Sequence, residues 1–271
     1  ASYRRQRQMC IRDRYINMLA KKNVFITGAA KRIGAEISKS LSTLDCNVVI
    51  HYNKSSASAK KLCREINKNK KVAICVKADL CIKDELEKAF YIAKKEFGYI
   101  DCLINNASIF EYDNLKTIKS KKWDKHISAN LNGPMILSKL FYENLPKNKN
   151  GDIINIIDQR VLNLTPHFLS YTISKSALWT LTRTLALELA PKIKVNAIGP
   201  GPVIKSKFQT EKEFLNQCKN MPLKIGSNPK EIAKTVIYLL SIPSITGQII
   251  TLDGGQHLGW GQVSNTLKIK D

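Results

Sequence analysis

A phenol and an ammonium stand four residues apart in Ser170-Tyr-Thr-Ile-Ser-Lys175, and a carboxyl, Asp158, lies thirteen residues before the phenol. Four residues is close to one helical turn, so on a helix Tyr171 and Lys175 project from one face, one above the other. A free tyrosine holds its proton to about pH 10. A cation beside it favours the phenolate and brings the group toward a useful acid–base range. Such a phenol can hand a proton to a substrate near neutral pH. Because Tyr-x-x-x-Lys also occurs on ordinary solvated helix faces, the surrounding elements must decide.

The first of these elements is near the other end. The apolar run Asn23-Val-Phe-Ile26 leads into Thr27-Gly-Ala-Ala-Lys-Arg-Ile-Gly34 and then a helix-like stretch, Ala35 to Leu44. This reads as strand, tight turn, helix. Gly28 permits the sharp turn and Gly34 permits close backbone approach, so a helix N-terminus can face a pyrophosphate with its N–H groups. Following a strand and opening a helix, the turn reads as a dinucleotide site. The second apolar run, Asn47-Val-Val-Ile-His-Tyr-Asn-Lys-Ser55, bears on which dinucleotide. A site preferring NAD carries an acidic residue near the end of this strand to bind the ribose 2′-hydroxyl. None is there, and Asp45 sits at the wrong end. His51, Asn53, Lys54 and Ser55 offer donors, and Arg32 supplies a fork suited to phosphate. NADPH is therefore the expected cofactor.

At 271 residues and 44% apolar composition the chain can bury one large core. Apolar strands alternate with helical stretches and no sustained hairpin pattern appears. The expectation is an α/β fold: a single Rossmann-type, doubly wound, seven-stranded parallel sheet with helices on both faces. Strands are expected at 23–27, 47–52, 72–77, 100–105, 152–157, 193–198 and 247–252. A helix over Phe168 to Ala190, stopped by Pro191, would carry the Tyr171–Lys175 pair.

Further pieces follow in chain order. Asp79-Leu80 closes the third strand, Asn105-Asn-Ala-Ser108 closes the fourth, Asn130 falls in a long helical stretch, and Pro200-Gly-Pro-Val203 follows the sixth. With the glycine turn and Tyr171–Lys175, these resemble the short-chain dehydrogenase/reductase family from about Lys22 to Gly259. The resemblance implies that Tyr171 is the general acid, that Lys175 lowers its pKa and holds the nicotinamide ribose, and that Asn130 supports a proton-relay water. It further implies that Asp79, with Leu80, holds the adenine, that Asn106 and Ala107 lie along the cofactor, and that Ile33, Pro200 and Gly201 line its path. A short helical lid over Lys205 to Asn220 and a homotetramer are implied too.

Two departures from the commonest family pattern narrow this. The middle glycine of the turn is Arg32, and the catalytic serine is Asp158. Both are similar to the pteridine reductase and dihydromonapterin reductase branch, as is Asn106-Ala-Ser-Ile-Phe110, in which the aromatic ring stacks on the pterin and the serine contacts cofactor and substrate. Arg32, Ser108, Phe110, Asp158 and Tyr171 are thus the expected substrate-binding residues. A carboxyl suits a pterin, whose ring edge offers nitrogen donors and gains a proton on nitrogen. Asp158 could accept hydrogen bonds when ionised or pass a proton when neutral. Reduction of a 3-oxoacyl thioester or another carbonyl, and a non-catalytic cofactor-binding scaffold, are the alternatives.

Residues 1–17 stand apart. Five of the nine arginines fall within the first fourteen residues, and this stretch looks like translated adapter sequence, with Met18 a natural start of one domain over 18–271. Setting it aside lowers the formal charge only from +22 to +18, so the excess is spread over the chain. Scattered lysines without interleaved aromatics read as a solvated surface rather than a nucleic-acid face. Seven cysteines without a Cys-x-x-Cys suggest reduced thiols in a cytoplasmic protein, and the four dispersed histidines suggest no metal site. With no apolar run near eighteen residues, a membrane partner is not expected. His257, Leu258 and Trp260 could reach a neighbouring subunit's site or fill an interface.

Overall fold

Strands that are apolar along their whole length can be buried on both faces, which is the requirement of a parallel sheet covered by helices. β1 (Asn23–Ile26) meets it fully, with all four residues buried. The computed structural model describes residues 21–205 and 209–259. The expectations for residues 1–17 and for Trp260 lie outside the described residues. After β1 come β2 (Asn47–Tyr52), β3 (Ala73–Lys77), β4 (Cys102–Asn105), β5 (Gly151–Ile156), β6 (Ile193–Pro200) and β7 (Ile249–Leu252). They form one sheet in the order β3-β2-β1-β4-β5-β6-β7, with every pairing parallel.

Helices cover both faces. On one side α1 (Arg32–Ser42), α2 (Ser56–Ile66) and, late in the chain, a helix over Pro229–Ser241 pack Ile37, Leu41, Leu62, Ile232 and Val236 against Val24, Ile26 and Val48. On the other side α3 (Lys83–Phe97), and beyond α4 (Ser120–Ile127) the helices α5 (Gly133–Asn144) and α6 (Leu169–Glu188), bury Leu86, Phe90, Leu137, Phe141 and Ala186 against Phe25, Leu103 and Ile153. The short α7 (Glu211–Lys219) precedes α8, the Pro229–Ser241 helix. Both open on capping boxes, Thr210 with Glu213 and Asn228 with Glu231, which explains where these helices begin.

The strand order reverses between β1 and β4. The chain runs outward from β1 to β2 and β3, then returns to β4 on β1's other side, opening a crevice at the carboxyl ends of these strands. The Gly28 turn, Asn106 and Asp158 follow β1, β4 and β5 respectively, so all reach this crevice. The expected helix over Phe168 to Ala190 is α6, two residues shorter at its C-terminal end and one at its start. Asn130 is not within a long regular helix. It lies in a π-helical segment, Ser128–Asn132, between α4 and α5, a widened turn of a kind often found at functional sites.

Among the described residues no helix is long and apolar enough to cross a membrane, and no group of three or more His, Cys, Asp or Glu could hold a metal ion.

Candidate active site

Asp158 sits where the chain leaves β5 and caps a short 3₁₀ turn, Gln159–Val161, its Oδ1 accepting from the Arg160 backbone N–H at 2.9 Å. Its other oxygen, Oδ2, accepts the Tyr171 hydroxyl at 2.9 Å, so both carboxylate oxygens have assigned partners. Lys175, one turn along α6, is 2% exposed and donates from Nζ to the Ile156 carbonyl at 2.8 Å. The face of α6 that bears Tyr171, Ser174, Lys175 and Leu178 is buried, which holds the pair against the end of β5.

The electrostatics differ from the sequence expectation. Burial first, then the charge of Asp158 and the hydrogen bond to it, push the Tyr171 phenol well above its ordinary value, with Arg160 and Ser108 opposing. The Lys175 ammonium is turned to Ile156 O and stands 5.9 Å from the phenol ring centroid, so burial and Asp158 outweigh it. Burial also brings Lys175 itself down to about 8, against the opposing pull of Asp158. Asp158 is raised, again by burial, while Arg160 and the donated hydrogen bonds pull the other way without cancelling it. The arrangement thus sets a phenol that keeps its proton beside a carboxyl that can be protonated more readily than a free one.

These groups open onto a cavity of about 500 Å³ that also takes in Arg32, Ser108, Phe110, Pro200 and Gly201, with Phe214 and Gln217 of α7 on its far side. The expected short helix over Lys205 to Asn220 is present in α7, although residues 206–208 lie outside those described. Phe110 is stacked on Phe168, with ring centroids 4.3 Å apart and planes 11° apart, and stands edge to face with Tyr171 at 4.7 Å. Ser108 donates to Asn130 Oδ1 at 3.2 Å.

Asn130 is fully engaged. Oδ1 also accepts from Ile109 N–H at 2.8 Å, and Nδ2 donates to Ile109 O and Ser174 Oγ, each at 3.0 Å. Its side-chain amide is thus committed to protein partners and braces the loop that carries Ser108 and Phe110. A second brace was not legible in the sequence. Buried Asp113 accepts the Ser170 backbone N–H at 3.1 Å and the Ser170 hydroxyl, which His126 Nδ1 meets at 2.6 Å. Asp113 thereby caps α6 just before Tyr171.

A second cavity, of about 340 Å³, is lined by Gly28, Lys31, Asn53, Lys54, Ser55 and Asp79. The turn between the cavities is tight. A Cβ at Gly34 would lie 2.5 Å from Gly28 O, and Thr27 Oγ1 accepts the backbone N–H groups of Asn106 and Ala107 at 2.9 Å each. For Asp79, burial is outweighed by hydrogen bonds from Cys81 and Asn53 and by the Lys54 charge, which keep its pKa low. Lysines, amides and a hydroxyl beside one already-engaged carboxylate fit a phosphorylated ribose with its adenine. Lys31 was missed, although it neighbours Arg32 in the turn.

One expectation is corrected here. His51 is 1% exposed and presents no donor to a ligand. Its Nδ1 accepts from Gly28 N–H and its Nε2 meets Ala78 O, both at 3.1 Å, and burial lowers its pKa to about 4. It is a neutral brace under the glycine turn. Arg32, at a left-handed φ of 54°, lines the larger cavity, and one nitrogen of its fork donates to Ile204 O at 3.2 Å. Leu80 packs its side chain into the core and leaves only its backbone for any ligand. Arg160 and Phe168, absent from the expected set, line the larger cavity beside Asp158. Only Arg160's spacing of two from Asp158 could have signalled either.

Known proteins bear on this geometry in two ways. The crystal structure of FolM alternative dihydrofolate reductase 1 from Brucella canis, complexed with NADP, superposes with a TM-score of 0.87 at 40% identity, over 91% of this chain and 99% of that one. Its Brucella suis counterpart, also with NADP, gives 0.84 at 41%, over 90% and 97%. In sequence, a 3-oxoacyl-(acyl-carrier-protein) reductase of Buchnera aphidicola subsp. Baizongia pistaciae is 34% identical over 247 residues, 88% of this chain and 98% of that protein. The family model described as short chain dehydrogenase matches residues 22–214, a span that carries the glycine turn, Asp158 and the Tyr171–Lys175 pair. With a third of its residues shared with such a relative along almost the whole length, the chain belongs to the short-chain dehydrogenase family.

Proposed function

We propose that the protein is an NADPH-dependent reductase of a dihydropterin-type substrate, such as dihydromonapterin, dihydrobiopterin or dihydrofolate. The observation that carries this is the carboxyl of Asp158, 2.9 Å from the Tyr171 hydroxyl, in a cavity that also holds the flat ring of Phe110. A carboxyl accepts N–H donors from an aminopyrimidine edge and, when protonated, donates to a ring nitrogen; a hydroxyl in its place would suit a carbonyl oxygen better. The likeness to two dihydrofolate reductases of this fold supports the reading.

Asn53, Lys54, Ser55 and Lys31 would hold the 2′-phosphate end of the cofactor, Asp79 its adenine, and the Gly28–Gly34 turn with Asn106 and Ala107 its middle. When bound, the nicotinamide supplies a hydride. The residues of this chain then manage the proton. Asp158, raised by burial, is the group from which a proton can pass to the substrate nitrogen, while Tyr171 keeps its own proton and steadies the carboxylate left behind by donating to it at 2.9 Å; a proton taken up from solvent restores Asp158. Lys175, protonated below about pH 8, offsets the negative charge left on the pair. Ser108 and Arg32 orient the substrate. We further assign a homotetramer and a single domain to the chain.

A 3-oxoacyl thioester reductase is the second reading, favoured by the 34% identity to an enzyme of that name. Parallel assays of NADPH oxidation with a dihydropterin, dihydrofolate and a short 3-oxoacyl thioester decide between them. Faster turnover of the pterins is expected, and turnover of the thioester alone would overturn the proposal.

A further inference from the structure

Phe168 is the residue of the larger cavity whose position is least explained by catalysis. It takes a left-handed backbone φ of 61° immediately before α6. That backbone is fixed, since its N–H donates to Asp113 O at 2.9 Å and its carbonyl accepts from Thr172 N–H at 2.8 Å. Its ring lies face to face with Phe110 at 4.3 Å, and the Arg160 guanidinium carbon lies 4.9 Å from its centroid. Tyr112 stands edge to face with the same ring at 5.2 Å, so Phe168 is held by three side chains at once. Arg160 is itself tied to Thr165 Oγ1 at 2.9 Å and, through its backbone, to Asp158. With the backbone fixed, Phe168 leaves Phe110 only by rotating its side chain, which also gives up its Arg160 and Tyr112 contacts.

We propose that Phe168 is a specificity-determining competitor of the substrate: its ring covers one face of Phe110 within the cavity, and a substrate stacks on that face only by turning Phe168 out. A flat ring regains on Phe110 the stacking that Phe168 gives up. A flexible acyl chain regains little of it, so the exchange selects flat substrates. This rests on the reading of the substrate as a pterin.

The test is steady-state kinetics of Phe168→Gly and Phe168→Tyr with a dihydropterin at saturating NADPH. Glycine suits a positive φ, so the first change removes the ring without straining the turn. A face-to-face aromatic pair is worth about fivefold in an equilibrium. In Phe168→Gly the KM should fall about fivefold with kcat within about twofold of the parent, and Phe168→Tyr should restore the parental KM. A KM that is unchanged or higher in Phe168→Gly, with the parent active, overturns the competitor role alone, a rise meaning that Phe168 clamps the substrate instead. A parent that turns over no dihydropterin overturns the substrate reading and this role together.

Discussion

Lys175 offers a test in which stability and activity should move in opposite directions. Its ammonium is buried with one hydrogen-bond partner, Ile156 O at 2.8 Å, and its pKa falls from 10.5 to about 8. At about 1.4 kcal/mol for each pKa unit, holding the charged form in the fold costs about 3 kcal/mol at neutral pH. In Lys175→Met that cost disappears, while the lost bond to Ile156 O returns about 1 kcal/mol. The variant should then be about 2 kcal/mol more stable than the parent at pH 7, with turnover at least a hundredfold lower. The pH dependence fixes the sign. Between about pH 8 and 10.5 the unfolded parent binds more protons at this lysine than the folded one, so parental stability rises with pH across that window. The advantage of the variant should shrink over the same range and reverse by about 1 kcal/mol near its top. Urea unfolding of both proteins at pH 7 and pH 10 reads this difference directly, since every other titrating group is common to both. A variant less stable than the parent by the same amount at both pH values would refute the argument that burial governs this lysine.

Other expectations follow from the same geometry. Tyr171→Phe removes the hydroxyl on Asp158 Oδ2 and should lower turnover at least a hundredfold while NADPH affinity, read by fluorescence titration, stays within about twofold. His51→Leu leaves Gly28 N–H and Ala78 O without their partner, which should destabilise the fold by about 2–4 kcal/mol and weaken NADPH binding. Because His51 is neutral in the fold with a pKa of about 4, its contribution is complete above about pH 6.5 and is lost as the pH falls toward 4, so the stability difference between parent and His51→Leu should shrink across that window, as read by urea unfolding at about pH 7 and about pH 4.5. Lys54→Glu places a carboxylate in the smaller cavity and should shift the ratio of kcat/KM from NADPH toward NADH by at least about tenfold.

The sheet was legible because each strand is an apolar run ended by a turn signal. All seven expected strands are found, with ends displaced by two residues or fewer, including β6, which keeps pairing through Pro200 beside β7. The spacing of Tyr171 and Lys175 correctly placed them on one helical face. What remained hidden was direction and partnership. His51 is a polar residue in a strand, and only the packed structure reveals that it faces inward beneath the Gly28 turn. The bracing role of the Asn130 amide, which is spent on Ile109, Ser108 and Ser174, depends on a π-helical turn with no sequence mark. The Asp113–Ser170–His126 brace and the Phe110–Phe168 stack join residues 44 to 58 positions apart, so no local pattern announces them. The electrostatics of Tyr171 were hidden for the same reason: four-residue spacing correctly predicts that Lys175 is near, but burial and the Asp158 charge, which raise the phenol, depend on the packed structure.

The role of Asp158 is the centre of the account, and Asp158→Ser tests it most directly. Turnover of a dihydropterin and of a short 3-oxoacyl thioester, followed by NADPH absorbance, should be compared in parent and variant. The parent should favour the pterin, and the variant should lose pterin turnover by at least about tenfold while thioester turnover holds or rises. Pterin turnover that survives the change intact would contradict the assignment of the carboxyl.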